Sequence, residues 1–113
     1  MPPRINPLKL NPLQFKTLAL LQIAAQEPEL GEILAETGEA RLTRLPHAHG
    51  DHFHIGDKLL SGADATGLNN RAVFVALERK GLIRGEQQAL VITKEGMQYD
   101  TSTAGLHIHA GDH

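Results

Sequence analysis

The chain contains no cysteine and no tryptophan among its 113 residues. Without cysteine there is no disulfide and no thiolate ligand, so a metal bound here must be held by His, Asp or Glu. One tyrosine and three phenylalanines are the whole aromatic complement, which leaves Leu, Ile, Val and Ala to build the core. Long apolar runs are missing as well. No stretch approaches the roughly 18 apolar residues of a membrane span. The proline-rich opening MPPRINPLKL lacks the apolar segment of a signal peptide. A cytoplasmic location with no membrane partner is the expectation. Neither acids nor bases dominate: the net charge is −2 with histidines neutral, which does not advertise a nucleic-acid binder. Its distribution says more. Glu27, Glu29, Glu32, Glu36 and Glu39 form a stretch without a base, whereas Arg71, Arg79, Lys80 and Arg84 stand against Glu78 alone.

What the sequence does have is histidine in two patches. The stretch HAHGDHFH holds His47, His49, His52 and His54, and the other three of the seven, His107, His109 and His113, lie near the C-terminus. Taking Gly50-Asp51 as a two-residue turn of type II′ gives a hairpin in which 49 faces 52, 48 faces 53, 47 faces 54 and 46 faces 55. One side then carries Pro46, Ala48, Phe53 and Ile55, all apolar; the other carries four histidines. A slip of one residue would mix the two sides, so the pattern argues for its own register. His107 and His109 alternate in the same way, and Gly111-Asp112-His113 repeats Gly50-Asp51-His52. The tail is therefore a candidate third strand beside the hairpin, from the same chain or a second copy.

Elsewhere the pattern is helical or mixed. Asn11, Pro12 and Gln14 read as N-cap, first helical residue and capping-box partner of a helix that stops near Pro28. Its apolar surface, from Leu13 through Ala24, is too broad for one stripe and predicts two neighbours, with a second subunit as one candidate. A short acidic helix is expected around 29–36, ending at Gly38, then a short helix at 57–61, a turn at 62–67 and a longer helix at 68–80. That helix turns Val73, Ala76 and Leu77 inward, leaves Phe74 and Val75 outside, and closes at Gly81. A second hairpin follows at 82–93 with a tight turn at 85–88, and 94–99 begins another helical turn.

This order resembles a winged helix-turn-helix. The run Leu77-Glu78-Arg79-Lys80-Gly81-Leu82-Ile83-Arg84, followed by Leu90-Val91-Ile92-Thr93-Lys94-Glu95-Gly96, is similar to the MarR-like group of bacterial regulators, over roughly residues 57–99. The resemblance implies an α+β fold of three to four helices with two small β-hairpins. It divides the chain into an extended arm (1–10), a winged-helix domain (11–100) with the His-rich hairpin at 40–56, and a His-containing tail (101–113). It further implies a homodimer that controls transcription on double-stranded DNA. Asn69, Asn70 and Arg71 would meet base edges or phosphates, and Arg79, Lys80, Arg84 and Lys94 the backbone. The chain departs from that group in a short, acidic wing turn, Gly85-Glu86-Gln87-Gln88.

His47-Ala48-His49-Gly50-Asp51-His52 also resembles the HxHxDH signature of metallo-β-lactamase-like hydrolases. That fold is roughly twice this length and draws ligands from distant loops, and Phe53-His54 stand where that family has a glycine pair. The likeness is local, and no enzyme is expected. Binding without hydrolysis fits the histidines better. His47, His49, His52, His54, His107, His109 and His113 are candidate ligands for zinc, nickel or copper, with a solvated, pH-sensitive face as the alternative. The functional expectation is a DNA-binding regulator that responds to such a metal. A metal-storage or delivery protein, and a winged-helix protein-interaction module docking through Phe74 and Val75, are the rivals.

Overall fold

The computed structural model describes residues 6–45, 48–49, 52–56, 58–85, 90–106 and 108–110, with strand residues 48, 49, 52, 53 and 108–110 described by their backbone path. The chain is α+β: among the described residues there are three α-helices, one 3-10 helix and two antiparallel four-stranded sheets.

Helix α1, Pro12–Ala25, starts as its sequence dictates. The Asn11 side chain accepts from the Gln14 N–H at 2.8 Å, and the Gln14 side chain accepts from the Asn11 N–H at 3.1 Å, closing a capping box with proline at the first turn. Phe15, Leu18, Ala19, Leu20, Leu21, Ala24 and Ala25 are all buried. The neighbours that bury them belong to this chain: the 3-10 helix, α2, the first two strands and α3. The expected extended arm is instead folded where it is described. Asn6 and Lys9 take positive φ (54° and 56°), and the Asn6 carboxamide bonds both peptide groups of Leu10, at 2.7 and 2.8 Å. Asparagine tolerates this left-handed geometry because its own side chain can bond the nearby backbone.

The first sheet has the order β1-β2-β7-β6, from β1 (Gly31–Leu34), β2 (Glu39–Leu42), β6 (Ile83–Arg84) and β7 (Leu90–Ile92). The acidic segment is therefore a hairpin and not a helix. Its glutamates suggest helical spacing, but Glu32 faces Arg41 across the strands and pairs with it, and Gly38 takes φ 78° in the turn. Leu42 pairs with Leu90 and Ala40 with Ile92, all four fully buried or nearly so.

The second sheet has the order β3-β4-β5-β8, from β3 (Ala48–His49), β4 (His52–Ile55), β5 (Lys58–Ser61) and β8 (Ile108–Ala110). Of the expected short helix at 57–61, Asp57 lies outside the described residues and Lys58–Ser61 form strand β5. Its half-apolar run is claimed by four backbone partners on β4, with Ile55 opposite Lys58 and Phe53 opposite Leu60. Ile55 and Leu60 are buried, so this side of the sheet faces the core. The expected turn at 62–67 is part of a 3-10 helix, Gly62–Asn69, capped by Ser61. Helix α2, Arg71–Arg79, thus begins later than its sequence suggests, at Asn70, whose side chain accepts from the Ala72 N–H. Phe74 is buried, not exposed, and Ala76 is only half-buried. The hairpin β6–β7 and the final helix α3, Lys94–Gln98, lie where expected; residues 86–89 of its turn are outside the described residues. Among the described residues no helix is long and apolar enough to cross a membrane.

Close packing fixes α3. A Cβ on Gly96 would overlap the Leu82 carbonyl oxygen and press on Ile92. Gly96→Ala should therefore cost about 2–3 kcal/mol, measured as a lower urea midpoint at unchanged slope. A loss under about 0.5 kcal/mol would show that α3 can shift away without penalty.

Candidate functional site

The exposed side of α2 is built from two adjacent ridges at helical spacing. Arg71, Val75 and Arg79 form one, and Ala72, Ala76 and Lys80 the other. Together they line a concavity of about 680 Å³. The cations sit at its two ends and small apolar side chains make its floor. Eight residues at 1.5 Å each set Arg71 and Arg79 about 12 Å apart along the axis. Ala72 and Ala76 were not legible as part of a surface site, although their i, i+4 spacing with Lys80 carried the signal.

The seven residues expected to contact DNA divide into three groups. Asn69 is exposed at the end of the 3-10 helix, and Arg71 and Arg79 are exposed on α2. Asn70 and Lys80 are exposed but have structural work. Asn70 caps α2 through its side-chain oxygen, and the Lys80 ammonium donates to the Leu8 carbonyl at 2.8 Å, tying the N-terminal arm to the end of α2. Arg84 and Lys94 lie instead at the β1–β2 turn. Arg84 forms a two-pronged pair with Glu39, one arm at 2.9 Å, and the Lys94 stem lies against Gly38. The basic residues that cluster in the sequence at 71–84 are thus divided in the fold, with Arg84 engaged by Glu39 of the hairpin.

The arm is held by a polar cluster as well. The Tyr99 hydroxyl donates to Asn6 Oδ1 at 2.7 Å and accepts from the Leu8 N–H at 3.0 Å, while its ring meets Phe15 edge-on at 6.1 Å. Inside, Lys16 pairs with the buried Asp64 at 2.9 Å, joining α1 to the 3-10 helix.

The histidines fall in the second sheet. His49 pairs with His52 and Ala48 with Phe53, the register expected from the sequence. Position 109 on β8 pairs with Leu59 on β5. The tail therefore joins the sheet, but β5 separates it from the hairpin, where the sequence suggested direct contact. His54 is exposed. His47, His107, His113, Pro46 and the turn Gly50-Asp51 lie outside the described residues, as does the repeat Gly111-Asp112-His113. Among the described side chains, which do not include those of His49, His52 and His109, no group of three His, Asp or Glu is arranged to hold an ion.

No protein-family profile, curated protein or solved structure matches the chain.

The Arg84 hydrogen bond holds the Glu39 carboxyl below its ordinary value of 4.5, against the opposing effect of burial, and the same bond raises Arg84. Because the folded value is depressed, the stabilisation is present above 4.5 and is lost as pH falls through the lowered value. Carboxyl NMR titration should place the Glu39 midpoint below 4.5, and Arg84→Ala should return it towards 4.5. An unchanged midpoint in the variant would mean that Arg84 does not hold the carboxylate in solution.

Proposed function

We propose that the chain is a small winged-helix module that binds double-stranded DNA through the exposed side of α2, as a homodimeric transcriptional regulator. One observation carries the reading: Arg71 and Arg79 stand about 12 Å apart at the two ends of a concave floor made by Ala72, Val75 and Ala76. The major groove of B-form DNA is about 12 Å wide. A helix lying in it carries such cations to phosphates along the groove, and the short side chains between them let the helix approach the bases. Asn69 is exposed just before the helix start, where a carboxamide suits adenine. The 3-10 helix leading into α2, and β6 and β7 following it as a hairpin against β2, support the winged arrangement.

A second reading has its own support. The apolar floor between the cations also suits a protein segment carrying acidic ends, so a protein-interaction module remains the rival. Phe74 takes no part in it, being buried.

Fluorescence anisotropy with a random duplex over a salt series tests the assignment. Affinity should fall steeply with salt, and Arg71→Ala and Arg79→Ala should each lower the log–log slope by about 1. Arg84→Ala should change the slope less, because Glu39 already engages that guanidinium. Absence of binding at low salt, or equal slopes in all variants, would overturn the DNA reading in favour of the protein partner.

A further inference from the structure

The register of the second sheet brings three histidine positions together on its outer side. His49 and His52 are directly opposed on β3 and β4, immediate cross-strand neighbours in the register. His54 is two residues further along β4 on the same side, about 7 Å from position 52 along the strand and about 7–8 Å diagonally from position 49. The other side of the sheet is committed to the core, with Ile55 and Leu60 at 0% and 1% exposure. Alternation along β4 therefore places 52 and 54 on the side away from the core, and His54 is indeed exposed.

We propose that His49, His52 and His54 form a binding site for one divalent first-row transition ion, Cu²⁺, Ni²⁺ or Zn²⁺. The donor chemistry selects the metal class. Neutral imidazole suits these three ions, whereas calcium and magnesium require oxygen ligands, and the chain has no thiolate to favour Cu⁺. Metal–nitrogen bonds of about 2.0–2.1 Å need ring nitrogens that converge, and a directly opposed pair with a diagonal third is the shortest arrangement a two-stranded ribbon offers. Three imidazoles leave at least one coordination position for water. His109 stands apart from this set. Two strand spacings, about 10 Å, and the Leu59 position lie between it and His54. The site is independent of the DNA reading, since it lies on a different sheet and uses none of the α2 residues.

The test is calorimetric titration of the untagged, chelator-treated full chain with nickel and zinc chloride at about pH 7.5, above the ordinary histidine value. One ion per chain at micromolar affinity or tighter is expected. His49→Ala and His52→Ala should each weaken it at least about tenfold, while His109→Ala should change it less than about threefold. Circular dichroism of each variant, and the conservative His52→Asn, separate lost ligation from lost folding. Binding should also weaken as pH is lowered, because protons compete with the ion for the imidazole nitrogen. No binding by the wild type, or equal binding by a folded His49→Ala/His52→Ala double variant, would overturn the site.

Discussion

The constraint on which everything else rests is the burial of α1. A helix with one apolar stripe needs one partner; this one buries Phe15, Leu18, Leu20, Leu21, Ala24 and Ala25 around most of its circumference and needs several. The 3-10 helix, α2, β1, β2 and α3 all pack against it. A chain with one tyrosine and three phenylalanines cannot fill this volume with rings, so the fit depends on close approach of small residues. Gly67 in the 3-10 helix lies so near Thr17 that a Cβ would overlap its hydroxyl, and Gly96 does the same for α3 against Leu82. At native packing density there is little slack to absorb a methyl group at either place.

Around this core the segments at 6–10 and 96–101 are held by side-chain hydrogen bonds. Gln22, on α1, donates to the carbonyls of Gly96 and Tyr99 at 2.7 and 2.9 Å and accepts from the Thr101 hydroxyl at 2.6 Å. One side chain thus satisfies carbonyls left open at the end of α3, where no further turn exists to receive them. Tyr99 then reaches Asn6 and Leu8, and Lys80 reaches Leu8 from α2. The N-terminal arm is consequently placed by residues distant in sequence, and it lies against the end of the helix proposed to meet DNA.

That dependence on distant partners explains what the sequence could and could not convey. The capping box of α1 is local, and Asn11, Pro12 and Gln14 sufficed to read it. The histidine hairpin was legible for a similar reason: its apolar and histidine sides separate cleanly in only one register, and His49 does face His52. The segment at 29–36 misled because glutamates three and four apart suit a helix, while the feature that decides for strand is Arg41 and Leu42 pairing back and β7 pairing beyond. Lys58 to Ser61 became a strand because β4 and β8 flank it on both sides. Likewise Arg84 looked like a DNA-facing base until Glu39, forty-five residues earlier, supplied its partner. Local chemistry was readable; edges and ion pairs set by tertiary contact were not.

The two proposed sites are joined by the chain itself. Strand β4 holds two of the histidine positions and pairs along its length with β5. Strand β5 ends at Ser61, whose hydroxyl accepts from the Ala63 N–H and starts the 3-10 helix; that helix ends at Asn69, and Asn70 starts α2. An ion that fixes β3 against β4 therefore acts on the strand pair that leads, within one 3-10 helix, to the first residue of the proposed DNA-binding helix. Continuity alone is not coupling. An effect on DNA affinity requires that the ion bind one arrangement of this path more tightly than another. Linkage also makes the effect reciprocal: whatever factor the ion brings to DNA binding, DNA must bring to ion binding. With Ile55 and Leu60 locked into the core beneath the histidine positions, any second arrangement must be one that keeps these two side chains buried.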